Sequence, residues 1–214
     1  MLRIQSFTFN LFAENTYLVW DDVSMDCAIF DPGCSNHHEE KIVDDFILQN
    51  NLKLTQLINT HCHIDHVLGN HHISNKYNLN LQAHQLEKSV LEWSQSAAML
   101  YQIPYTPYNH IDILLSESDS IKIGEHILEI RFTPGHSPGS LTFVSHSHHW
   151  ALVGDVIFYQ SIGRTDLPGG DYQTLENSIR QKIYTLPNHF ILYSGHGEST
   201  EVGFEKKHNG FVRL

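Results

Sequence analysis

The sequence is poor in cysteine, in basic charge and in long apolar runs. Its three cysteines, Cys27, Cys34 and Cys62, are odd in number and form no Cys-x-x-Cys pair. That excludes a disulfide framework and a four-cysteine zinc site. It points to a reducing compartment, with the cytoplasm expected. Thirteen Lys and Arg stand against 24 Asp and Glu, a formal net charge of -11. No basic stripe is available to displace counterions, so no nucleic-acid partner is expected. No run approaches the length of a membrane span, and no membrane partner is expected. The opening Met1-Leu2-Arg3-Ile4-Gln5-Ser6 lacks the charged-then-apolar pattern of a signal peptide. There is no internal repeat, low-complexity segment or linker-like stretch.

What is present is a core-forming composition. Hydrophobic residues make up 41% of the 214 positions and charged residues 17%. Such a chain buries a sizeable core and fits one domain or a compact two-layer unit with lobes. Residues 2–31 read as strands, with Thr16–Trp20 β-branched and aromatic and Cys27–Phe30 ending at the turn signal Asp31-Pro32-Gly33. Residues 37–50 read as a helix capped by Asn36, with Ile42, Val43, Phe46 and Ile47 on one face. A strand is expected at 54–59 and a helix at Leu68–Tyr77. A short strand at Leu79–His84 and a helix at Gln85–Tyr101 follow, the latter with Leu86, Val90, Trp93, Ala97 and Leu100 recurring at spacings of three and four. Strands return at Ile121–Ile123, His126–Phe132, Ser140–Ser145 and Trp150–Phe158. A helix at Asp171–Leu186, facing inward with Leu175, Ile179 and Ile183, precedes a strand at Phe190–Tyr193. Strands and helices in this order imply a layered α/β fold.

One stretch is dense in metal donors: Thr60-His61-Cys62-His63-Ile64-Asp65-His66. In an extended segment, residues two apart share a side. His61, His63 and Asp65 would then point one way, while His66 turns toward a second, adjacent point. Cys62 would face away, as a small buried hydrophobe. One loop can thus serve two neighbouring metal ions.

Four apolar runs end in the same manner. Leu54–Ile58 leads to His61, Ile127–Phe132 to Thr133-Pro134-Gly135-His136, Trp150–Val153 to Gly154-Asp155, and Phe190–Tyr193 to Ser194-Gly195-His196-Gly197. Layered α/β proteins gather function at strand ends. His146, His148 and His149, at a hairpin tip, are expected to be solvated and not ligands.

These motifs, in this order between residues 60 and 197, resemble those of metallo-β-lactamase-superfamily hydrolases. The resemblance implies an αββα sandwich of two mixed sheets flanked by helices, as a single domain over 1–214. It implies one metal on His61, His63 and His136, a second on Asp65, His66 and His196, and Asp155 bridging both. Asp65 and Asp155 would be the catalytic carboxylates. Within the superfamily, Gly163-Arg164-Thr165-Asp166-Leu167-Pro168-Gly169-Gly170 and the Glu198–Lys206 segment resemble single-domain glyoxalase II-like proteins, the hydroxyacylglutathione hydrolases. The larger glyoxalase II enzymes add a helical glutathione-binding domain, which is not expected within these 214 residues.

Imidazole and carboxylate ligands suit two divalent ions, Zn²⁺ foremost, with Fe or Mn as alternatives. A metal pair roughly 3.5–4 Å apart brings a bridging water toward a pKa of about 7, supplying hydroxide at neutral pH. A thioester fits this machinery, because a thiolate of pKa about 8.5 departs without prior protonation. An amide nitrogen needs a proton donor, and none is nominated; superfamily β-lactamases also often carry Cys where Asp155 stands. The expected function is therefore hydrolysis of a small-molecule thioester, S-lactoylglutathione or a related 2-hydroxyacyl thioester. Arg164 is expected to bind a substrate carboxylate or carbonyl, the alternative being a salt bridge to Asp166. The rival reading is persulfide dioxygenase, which shares the His-loop and GRTD patterns. It would hold one Fe(II) on His61, His136 and Asp155.

Overall fold

The structure, a computed structural model, describes residues 1–213. The chain forms two compact units: Met1–Leu115 with Lys122–Ile127, and Ser116–Ile121 with the residues from Leu128 on. Each is built on a mixed six-stranded sheet. Helices accompany both sheets, so the α/β class expected from the order of elements is the one observed.

In the first unit, β1 (Leu2–Phe9), β2 (Glu14–Asp21) and β3 (Asp26–Phe30) form an antiparallel meander. Parallel strands β4 (Lys53–Ile58), β5 (Leu81–His84) and β6 (Ile113–Leu115) extend it. Parallel neighbours need crossovers. These are α1 (His37–Gln49), the pair α2 (Ile64–Val67) and α3 (Asn70–Tyr77), and α4 (Lys88–Tyr101). The Asn36 side chain caps α1, accepting from His38 N and Glu39 N. Val43 and Ile47 of α1 are buried against a core that includes Leu18, Ile29, Leu57 and Leu81. Each such side chain contributes roughly 1.5–3 kcal/mol of burial. Because β3 and β4 run parallel, their C-terminal ends lie side by side, with Asp31 after one and Asn59-Thr60 after the other.

The second sheet has the order β14 (Thr200–Glu201), β13 (Ile191–Ser194), β10 (Trp150–Gly154), β9 (Leu141–Ser145), β8 (His126–Phe132) and β7 (Ser120–Ile123). Strands β9 and β10 are buried at every position, as continuous apolar central strands should be. β9 runs antiparallel to both β8 and β10, and β10 runs parallel to β13. β8, β10 and β13 therefore point the same way and finish at one edge, where His136, Asp155 and His196 follow. A small hairpin, β11 (Ile157–Phe158) with β12 (Ser161–Ile162), and helices α5 (Tyr172–Ser178) and α6 (Val202–His208) complete the unit.

Several expectations are corrected. α2 begins at Ile64, four residues before the expected helix start, so Asp65 lies in a helical turn rather than an extended segment. The inward face of α4 is Leu91, Ser94, Ala97 and Ala98, while Leu86, Trp93 and Leu100 are exposed. The expected strand Trp150–Phe158 is cut at Gly154, whose φ of +50° turns the chain. The expected helix to Leu186 is α-helical only through Ser178 and then widens into one π turn, Ile179–Ile183, although Leu175, Ile179 and Ile183 are buried as predicted.

Candidate metal centre

In the first unit, the loop after β4 carries His61 and His63, and the first turn of α2 carries Asp65 and His66. His61 and His66 are fully buried. The His61 ring lies 4.9 Å from that of His63 and 4.1 Å from that of His66. His66 Nε2 is 3.5 Å from Asp65 Oδ2. All four side chains predicted from this loop are thus gathered.

The ring tautomers follow from neighbouring acceptors. His66 Nδ1 is 3.1 Å from Asp31 Oδ2, a carboxylate oxygen, so Nδ1 carries the proton. Thr60 Oγ1 donates to Asp31 Oδ2 at 2.6 Å and therefore accepts from His61 Nδ1 at 3.1 Å. Each ring is left with its Nε2 lone pair for a ligand, the arrangement by which an outer carboxylate orients a metal-binding imidazole. A lone pair facing the Asp65 carboxylate at 3.5 Å is repelled by it unless a proton or a metal ion stands on the nitrogen. The donor set therefore fits a divalent ion.

Asp31 is the residue that the sequence reading missed. In the sequence it reads only as part of the turn Asp31-Pro32-Gly33, yet it follows an apolar strand just as Asp155 does. It also accepts from Thr60 N at 2.6 Å and from Asn59 Nδ2 at 3.4 Å. Its φ of +48° is a left-handed conformation that Asp tolerates better than most residues, held here by these contacts. Asn59 Nδ2 also donates to His66 O at 3.0 Å, and Asn10 Nδ2 to Asp65 O at 3.0 Å, so the loop is held along its backbone. Gly33 sits where a Cβ would meet Glu14 Oε2 at 2.0 Å and Asp65 O at 2.6 Å. Burial pushes the Glu14 carboxyl well above the usual carboxylate range; His66 opposes that, and Asp31 and Asp65 add to it. Cys62 is fully buried in the apolar core, and burial, then Glu87 and Asp31, raise its thiol well above the usual range. It is a core residue, as its position in the loop predicts.

In the second unit, three strand ends bring His136, Asp155 and His196 together. His136 Nε2 and His196 Nε2 each lie 3.5 Å from Asp155 Oδ2. Asp155 Oδ2 thus stands between two imidazoles. His136 Nδ1 is 2.8 Å from the Arg164 carbonyl oxygen, so it too is protonated at Nδ1 and offers Nε2. Gly154 O accepts from Gly195 N at 2.8 Å, which locks the Asp155 turn to the His196 turn. Gly163 makes the tight return possible: a Cβ there would fall 1.9 Å from Asp155 O and 3.0 Å from the His136 ring.

Arg164 forms a bidentate pair with Asp166, Nε to Oδ1 and Nη2 to Oδ2, both at 2.7 Å. Both side chains are more than half exposed. The pairing holds the Asp166 carboxyl at about 2, chiefly through the guanidinium hydrogen bonds. Of the two roles weighed for Arg164, the salt bridge is the one visible. His146 contacts Glu129, His148 meets Ser145 and Ser147, and His149 packs on the His189 ring. Among the described residues, none of these tip histidines joins a group of metal donors.

A family model for the metallo-beta-lactamase superfamily matches residues 10–196, and the chain belongs to that superfamily. Two relatives match over nearly their whole length. "Probable metallo-hydrolase YqgX" of Bacillus subtilis (strain 168) is 36% identical over 94% of this chain and 92% of its own. Hydroxyacylglutathione hydrolase GloC of Haemophilus influenzae is 33% identical over 99% and 98%. Mitochondrial persulfide dioxygenase ETHE1 of Mus musculus is also 33% identical, over 85% of this chain but 63% of its own. Among solved structures, the BLEG-1 B3 metallo-beta-lactamase matches with a TM-score of 0.89 and 32% identity, covering 98% of this chain and 99% of that one. TTHA1623 in a di-iron-bound form matches with a TM-score of 0.86 and 26% identity, covering 97% and 100%. Two mixed sheets with flanking helices are the fold that this family shares. Among the described residues, no helix is long and apolar enough to cross a membrane.

Proposed function

We propose that this chain is a metal-dependent thioesterase that hydrolyses a 2-hydroxyacyl thioester, S-lactoylglutathione or a close relative. His61, His63 and His136 would hold one ion, Asp65, His66 and His196 would hold the other, and Asp155 would serve both. Zn²⁺ suits these nitrogen and oxygen donors, and iron or manganese are the alternatives. A bound metal pair supplies a water of pKa about 7 and polarises a carbonyl oxygen. The chain's own part is positioning. Asp31 and Thr60 fix the rings of His66 and His61, and the Arg164 carbonyl fixes that of His136. Asp65 and Asp155 sit beside the ligand nitrogens, where they can hold and orient the attacking water. The guanidinium of Arg164, exposed beside this turn, is the group to meet a substrate carboxylate once it exchanges Asp166 for it.

The observation that carries the reading is that His66 and His136 each tie Nδ1 to a protein acceptor and face a carboxylate with Nε2 at 3.5 Å, a distance His196 Nε2 repeats. Thioester over amide rests on the leaving group, since a thiolate departs unaided. The near-complete overlap with a hydroxyacylglutathione hydrolase favours hydrolysis. The equal identity to a persulfide dioxygenase keeps a second reading, one Fe(II) on His61, His136 and Asp155. A small molecule is the expected partner, met in the cytoplasm. The test is an assay of S-lactoylglutathione hydrolysis before chelation, after it, and after return of Zn²⁺. Activity lost and regained supports the reading, and turnover that survives complete metal removal rejects it. Oxygen uptake on a glutathione persulfide, by protein holding one iron per chain, would establish the second reading instead.

A further inference from the structure

We infer that Glu87 is a positioning residue for the metal loop, holding the peptide between two of its histidines. The inference rests on the proposal that His61 and His63 bind metal. Glu87 closes the 3₁₀ turn Gln85–Glu87 that leads into α4, and it is fully buried. Its Oε2 accepts from Cys62 N at 2.7 Å. The carbonyl of Cys62 lies 3.3 Å from Ser94 Oγ, which shares its one proton between it and the Val90 carbonyl, also at 3.3 Å. Both polar faces of the Cys62 residue are therefore held from one helix.

The spacing explains how. Glu87, Leu91, Ser94 and Ala98 recur at four, three and four residues, one stripe of a helix. All four are buried. The stripe places a carboxylate and a hydroxyl where core packing alone would place apolar groups. Burying a carboxylate is costly unless it is hydrogen-bonded, and this one is bonded to the loop that carries the metal donors. Cys62 lies directly between His61 and His63, so a displaced peptide here moves both rings. Outer groups that orient metal ligands are typically worth 10- to 100-fold in affinity.

The test compares wild-type protein, Glu87→Ala and Glu87→Gln by competitive Zn²⁺ titration, with thermal unfolding of each metal-free form and hydrogen exchange at the Cys62 amide. Glu87→Gln keeps an acceptor oxygen of the same reach and guards against a misfolded alanine variant. The expected result is a roughly 10- to 100-fold loss of Zn²⁺ affinity and faster exchange at Cys62 in Glu87→Ala, with most of both effects reversed in Glu87→Gln. Wild-type Zn²⁺ affinity, or unchanged exchange at the Cys62 amide, in a folded Glu87→Ala overturns the inference. Wild-type protein that binds no Zn²⁺ removes the metal-centre reading, and the inference with it. An equal fall in metal-free stability for both variants, with Zn²⁺ affinity intact, marks Glu87 as merely structural and also overturns it.

Discussion

Replacing Asp31 by Asn should disable the centre without emptying the space. Asp31 accepts from Thr60 N and Thr60 Oγ1 at 2.6 Å each, and from His66 Nδ1 at 3.1 Å. An amide keeps one acceptor, which Thr60 N claims. Its NH₂ then faces Thr60 Oγ1 and His66 Nδ1, where two donors were received before. His66 must move its proton to Nε2 or tolerate a donor–donor clash. The Thr60 hydroxyl must turn to accept, which disturbs its bond from His61 Nδ1. Two imidazoles thus lose the tautomer that presents Nε2. Loss of a hydrogen bond to a charged group is worth about 1.5–3 kcal/mol. With Asp31 almost wholly buried, solvent screens little of it. At about 1.36 kcal/mol per decade, that is roughly a 10- to 150-fold loss of metal affinity. Competition with a chromophoric chelator measures the loss, and circular dichroism of the metal-free variant establishes that it is folded. A folded Asp31→Asn chain with undiminished metal affinity would refute the tautomer argument.

Other expectations follow from single residues. Gly163→Ala forces a Cβ against the Asp155 carbonyl, which is backbone and cannot swing aside. It should cost about 1–3 kcal/mol in urea unfolding and weaken metal binding. Gly210→Ala, whose nearest neighbour would be 3.7 Å away, should leave stability within about 1 kcal/mol and metal binding unchanged. Arg164→Ala should raise KM for a carboxylate-bearing thioester with little change in metal content, whereas Asp166→Asn, which frees the guanidinium, should lower KM. Burial raises the Asp44 carboxyl, but Lys76, Tyr77 and His72 outweigh it and leave it below its ordinary value. A depressed carboxyl stabilises the fold above its unfolded pKa of about 3.9 and loses that contribution as pH falls through the folded value. The stability gap between wild type and Asp44→Asn, measured by urea unfolding, should therefore be widest near neutral pH and close below about pH 4. A gap that widens on acidification would contradict the sign.

Much of the site was legible in the sequence because its donors follow apolar strands. Alternating and continuous apolar runs mark β4, β8, β10 and β13, and the next His or Asp falls at the strand end. The resemblance of the motifs to a known superfamily implied a grouping of those donors around two ions. What escaped has physical causes. Asp31 ends a strand in the same way but reads as a turn, because Pro32 and Gly33 follow it. The inward stripe of α4 contains Glu87 and Ser94, so a search for apolar periodicity selected Leu86, Trp93 and Leu100, which are exposed. Polar residues that bond a functional loop look like surface until the loop is seen. The short strands β6, β12 and β14 carry two or three residues each, too few for a period to register.

The central claim is that His61, His63, Asp65, His66, His136, Asp155 and His196 surround one pair of metal ions. The most direct measurement is metal analysis with anomalous diffraction on the Zn²⁺-loaded protein. The account predicts two ions per chain, about 3.5–4 Å apart, with Asp155 touching both. A single ion per chain at saturation, or two ions too far apart to share Asp155, would contradict it.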